Sequence, residues 1–90
     1  MSGMTGIESV LSTWPIKLPR QGVAGTVLGD QIVFADFSLG HDCVLLTRAT
    51  PDSMGCREVI LPFQQVAMVK LTDSLQPTMR KEMGFESPAM

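Results

Sequence analysis

His41, Asp42 and Cys43 stand in a row. An imidazole, a carboxylate and a thiol are common parts of nucleophilic and metal-binding sites. The spacing argues against both uses. Adjacent residues of an extended chain point to opposite faces, so the three groups do not converge unless the loop curls. His41 is the only histidine, and the other cysteine, Cys56, lies 13 positions beyond Cys43. That interval matches neither a C-x-x-C redox pair nor a four-ligand zinc framework. No glycine-rich phosphate loop, triad pattern or paired carboxylate appears elsewhere. The expectation is a protein that is not an enzyme and uses no cofactor and no metal.

The remaining chemistry is that of contact. Phe37 and Phe63 are the aromatic residues nearest two polar loops. A base stacked on Phe63 would gain about 1–3 kcal/mol. Both phenylalanines also sit within apolar alternation, which favours a core or interface role over stacking. Arg48 and Arg57 flank a turn cluster, Arg80-Lys81 lies near the C-terminal end, and Lys17 and Arg20 complete the cations available to a phosphate. The net charge of −2 argues against broad nucleic-acid binding, which needs a basic footprint.

These residues need elements to hold them. Thr5-Gly6-Ile7-Glu8 has the form of a helix capping box. Ile7, Val10, Leu11 and Trp14 follow at helical spacing, and Pro15 ends the run. The prediction is a short helix over about 5–13, docked through Leu11 and Trp14. Strands are predicted over 23–28, 32–37, 43–48, 58–61 and 66–71. Gly29-Asp30 reads as a two-residue II′ turn between the first two. Ser38-Leu39-Gly40-His41-Asp42 reads as a loop, residues 50–55 as a turn cluster and Pro62–Gln65 as a hinge. Several strands are apolar on both faces, so both faces need cover.

Ninety residues support one domain. A chain that is 44% hydrophobic and 18% charged is apolar for a small monomer, which points to an interface. The domain is placed at 1–71. Residues 72–90 form a tail in which Pro77 could open a helical turn through Thr78–Met83, with Gly84 as its stop. No apolar run approaches the roughly 20 residues of a membrane span, and the N-terminus lacks a secretory pattern. The expected location is cytoplasmic, with reduced cysteines.

The order of helix, three strands, turn and two short strands around a hinge resembles the Sm and LSm proteins, the Hfq-like small β-barrels. The likeness covers about residues 5–71. In the first motif, Ile32 takes the glycine position, Phe34 the leucine, Phe37 the aromatic, Ser38 the aspartate, Asp42 the asparagine and Leu45 the closing leucine. In the second, Leu61-Pro62-Phe63-Gln64-Gln65-Val66 keeps the apolar ends but not the Arg-Gly pair between them. The resemblance implies a mainly β fold, with a short N-terminal helix followed by a strongly bent five-stranded antiparallel barrel. It implies a homo-oligomeric ring of five to seven subunits, joined through Val59, Leu61, Val66, Met68 and Val69. It also implies single-stranded, uridine-rich RNA as partner, held by Ser38, His41, Asp42, Phe63 and Gln64. The alternative is a ring of the same fold that serves as a structural or protein-interaction module.

Overall fold

The computed structural model describes residues 6–85. In chain order they form helix α1 (Gly6–Ser12), strands β1 (Gly22–Thr26), β2 (Gln31–Phe34), β3 (Asp36–Leu39), β4 (Cys43–Thr47) and β5 (Glu58–Pro62), a 3-10 turn (Phe63–Gln65), strand β6 (Val66–Leu71) and helix α2 (Pro77–Glu82). The strands build two antiparallel three-stranded sheets, ordered β2-β1-β6 and β3-β4-β5. The fold is mainly β, as predicted, but with six strands rather than five. Among the described residues no closed barrel is formed, because β5 and β6 are not paired with each other.

The extra strand arises at Ala35. The Ala35 N–H donates to the Thr47 carbonyl at 2.7 Å, while Asp36 is already opposite Thr47 in the register. Two residues therefore face one, which is the geometry of a bulge, and a bulged strand bends. The predicted strand 32–37 is broken there, and its halves enter different sheets. Its second half also runs further than expected, so Ser38 and Leu39 lie on β3 and not in a loop.

The first hairpin differs too. β1 ends at Thr26, whose N–H donates to the Asp30 carbonyl at 2.9 Å, and the Gly29 N–H donates back to the Thr26 carbonyl at 3.0 Å. The loop is thus Val27-Leu28-Gly29, a three-residue form with glycine in the left-handed region, and not a two-residue II′ turn. Gly29 does have positive φ, at 96°. Val27 and Leu28 read as strand because they are apolar, yet they are exposed.

The core joins both sheets to the N-terminal segment. Phe34, Phe37, Val44 and Leu46 are its largest fully buried side chains. Phe37 meets Trp14 edge-to-face at 5.2 Å and Phe34 at 6.0 Å, contacts of about 0.5–1.5 kcal/mol beyond their burial. The Trp14 indole N–H donates to the Leu18 carbonyl at 3.1 Å, so its burial leaves no donor unpaired. Leu11 of α1 is in the same core. Thr5, the first residue of the predicted capping box, lies outside the described residues.

The segment after β6 shares this core. Pro77 opens α2 at its first turn. The Gly84 N–H donates to Lys81 and the Phe85 N–H to Arg80, the paired closing bonds of a helix stopped by a glycine with positive φ. Met83 is buried, and Leu75 and Met79 pack against the cluster.

Candidate functional site

The loops singled out in the sequence meet at the 3-10 turn. Gly40 donates its N–H to the Cys43 carbonyl at 2.8 Å, which closes a tight connection with His41 and Asp42 at its tip. Asp42 has φ 63°, a left-handed conformation that aspartate tolerates better than most residues. Its carbonyl accepts the Phe63 N–H at 3.1 Å, and the Gln65 carbonyl accepts the Val27 N–H at 2.9 Å. One end of the molecule thus carries the β3–β4 loop, the 3-10 turn and the β1–β2 turn side by side.

The five predicted RNA contacts divide at this end. Ser38, His41, Asp42 and Gln64 are exposed. Phe63 is 4% exposed and belongs to the core, so its ring has no free face for a base. His41 Nε2 lies 3.4 Å from Asp42 Oδ2, with both side chains open to solvent, so this pair contributes little. Among the described residues no three histidine, cysteine or acidic groups gather as a metal site would require. Cys43 is half-buried and Cys56 is exposed.

No lysine or arginine lies in the chain segments that form this end. The stretches 27–31, 38–43 and 61–67 contain Asp30, Asp42 and His41 but no lysine or arginine. The Arg48 N–H donates to the Arg57 carbonyl at 2.8 Å, which places both residues beyond the far ends of β4 and β5. Arg20 is occupied elsewhere. Its guanidinium lies 5.1 Å over the Phe37 ring and donates to the Phe37 carbonyl at 3.2 Å.

The strand edges follow from the hydrogen-bond pattern. In an antiparallel ladder the backbone groups of alternate residues face one partner, and the rest face away. The Gly40–Cys43 bond fixes the phase in the second sheet, so Phe37 turns its backbone away from β4. That outer position is filled, because the Phe37 N–H donates to Asp36 Oδ1 at 2.8 Å and its carbonyl takes Arg20. The Arg48–Arg57 bond fixes β5, where Glu58, Ile60 and Pro62 turn their backbone outwards. The Val27–Gln65 bond fixes β6, where Val69 and Leu71 do the same. Among the described residues β5 pairs only with β4, and β6 only with β1.

The predicted interface residues sit on these two strands at different depths. Val66 is buried in the core, while Val59, Leu61 and Val69 are partly buried against it. Met68 is 46% exposed and Ile60 is 69% exposed. Val59-Ile60-Leu61 is apolar throughout, so the sequence alone does not reveal that Ile60 is the one that faces out.

Comparison of the chain with protein-family models, curated proteins and solved structures returns no match.

Proposed function

We propose that this chain is an Sm-like module that assembles into a homo-oligomeric ring, with five to seven subunits as the resemblance implies, and that the ring is a structural or protein-interaction platform. In this reading β2 and β3 are one bent strand, and the strand order β6-β1-β2/β3-β4-β5 is that of a five-strand small barrel. The observation that carries the proposal is the contrast between edges. β3 closes its edge with Asp36 and Arg20, whereas β5 and β6 leave theirs open and apolar. An open apolar edge is a template for pairing with another chain, and a head-to-tail contact whose rotation closes gives a ring. The assembly needs no catalysis, so the proposal includes no enzyme activity.

A second reading gives the ring single-stranded, uridine-rich RNA as ligand. The Asp42–Phe63 hydrogen bond supports it, since it brings the two loops with exposed Ser38, His41, Asp42 and Gln64 to one end. The buried Phe63 ring and the lack of cations there favour the platform. The test is binding of a labelled uridine-rich oligomer at fixed salt. The platform reading expects no binding at micromolar concentration. Tight binding by the natural protein would replace it with the RNA reading. If binding is weak and charge-limited, Asp42→Asn should tighten it, because it removes a carboxylate and adds amide donors.

A further inference from the structure

A cleft lies away from the strand edges, between the connector after α1 and helix α2. The connector turns back on itself where the Leu18 N–H donates to the Pro15 carbonyl at 3.1 Å. Pro15 and Leu18 are buried, and the Leu18 carbonyl also accepts the Trp14 indole N–H. The turn is thus anchored in the core, with Ile16 and Lys17 at its two corners. Both corners are exposed. Ile16 is 99% exposed, so among the described residues nothing covers its apolar surface. The facing wall is α2, which is anchored by buried Met83 and partly buried Met79. Thr78 and Glu82 are four positions apart, so they share a face of that helix. Ile16, Lys17, Thr78, Met79 and Glu82 together line a space of about 380 Å³.

This lining combines one cation, one carboxylate, one hydroxyl and two apolar side chains. Lys17 and Glu82 border the same space but stand beyond ion-pair distance, since His41–Asp42 is the ion pair among the described residues. Two unspent charges of opposite sign, with apolar side chains beside them, suit a small zwitterion that carries an apolar group. We infer that the cleft binds a free α-amino acid with an apolar side chain. The Lys17 ammonium donates to its carboxylate, and the Glu82 carboxylate accepts from its ammonium. Both are charge-assisted hydrogen bonds. The ligand's side chain lies against Ile16 and Met79.

Size and charge both favour a single amino acid over a peptide. Small-molecule sites span roughly 300–1,000 Å³, and this cleft is near the lower limit. An internal peptide segment brings neither backbone charge, and a chain end brings only one. Because both walls are anchored in the core, the site is preformed, which lowers the cost of binding. The cleft uses no residue of β5 or β6, so this inference stands apart from assembly into a ring.

The test is a titration of the isotope-labelled natural chain with leucine at fixed pH and salt, followed by backbone amide chemical shifts. Exposed charge contacts are weak, so saturation is expected in the millimolar range. The shifts should be confined to residues 15–18 and 77–83. N-acetyl-leucine and leucinamide each lack one charge, and each should bind roughly two- to fivefold more weakly. N-acetyl-leucinamide and glycine should bind more weakly than leucine as well. Lys17→Met should weaken leucine by the same factor and no longer distinguish it from leucinamide. Glu82→Gln should do the same for leucine and N-acetyl-leucine. An absence of saturable shifts, or shifts centred elsewhere, overturns the site. N-acetyl-leucinamide that binds as tightly as leucine overturns the zwitterion, and glycine that does so overturns the apolar contact. The analogue series uses the natural chain, so a variant that fails to fold does not decide the result.

Discussion

Ile60 and Leu46 are two branched apolar residues in register neighbourhood on β5 and β4, and truncating each should have opposite consequences. Leu46 is 2% exposed in the core. Leu46→Ala removes buried atoms and leaves a cavity, a loss of about 2–5 kcal/mol. Each 1 kcal/mol shifts the midpoint by roughly 4–8 °C in a domain of this size, so the fold should melt far lower or fail to form. Ile60 is 69% exposed within one chain, so Ile60→Ala should change the stability of that chain by about 0.5 kcal/mol or less. Its remaining apolar surface becomes buried only on pairing. Complete burial of such a side chain is worth about 1.5–3 kcal/mol, so roughly 1–2 kcal/mol is at stake at each contact. At about 1.4 kcal/mol per tenfold change, each contact should weaken roughly 5- to 30-fold. The assay is sedimentation across a dilution series, with circular-dichroism melting at a concentration low enough to hold both proteins dissociated. An Ile60→Ala protein that melts like Leu46→Ala, or that assembles as tightly as the natural chain, would refute the reasoning.

Three further outcomes follow from the fold. Gly29→Val should destabilise the chain by more than about 1 kcal/mol in urea unfolding, since a β-branched residue is forced to φ 96°. Trp14 fluorescence should be blue-shifted and poorly quenched by iodide, because the indole is 9% exposed and edge-on to Phe37. Asp52 should give the 50–56 loop an acid-sensitive order. Its carboxylate accepts the Cys56 and Met54 N–H groups at 2.9 and 2.8 Å, which hold its pKa below the ordinary aspartate value. A lowered folded pKa means the contribution is complete above the ordinary value and is lost as pH falls through the lowered one. The protection factors of the Met54 and Cys56 amides, measured against their intrinsic exchange at each pH, should fall over that acid range, and Asp52→Ala should remove the dependence.

The elements were largely legible because their signals are local. Apolar alternation gave the strands, Pro15 the end of α1, and Pro77 and Gly84 the limits of α2. The misread points depend on partners distant in sequence. The break at Ala35 is made by Thr47 on another strand, and nothing around residues 32–37 announces it. Val27 and Leu28 look like strand because apolarity was taken for burial, yet the turn leaves them in solvent. The candidate loop residues were found as types, and the structure brings Asp42 and Phe63 together as backbone partners. The sequence did not show that the Phe63 ring turns inwards. Nor did it show that Ile60, and not Val59 or Leu61, is the outward member of its run, since that depends on the phase of pairing with β4.

The most direct test of assembly through the open edges is the mass of the natural chain in solution, measured by light scattering coupled to size exclusion at micromolar concentration. One sharp species is expected at five to seven times the 9.8 kDa of the chain, unchanged on moderate dilution and dispersed by Val69→Asp, which sets an unpaired charge on the β6 edge at the proposed contact. A natural chain that elutes and scatters as a 9.8 kDa monomer would contradict it.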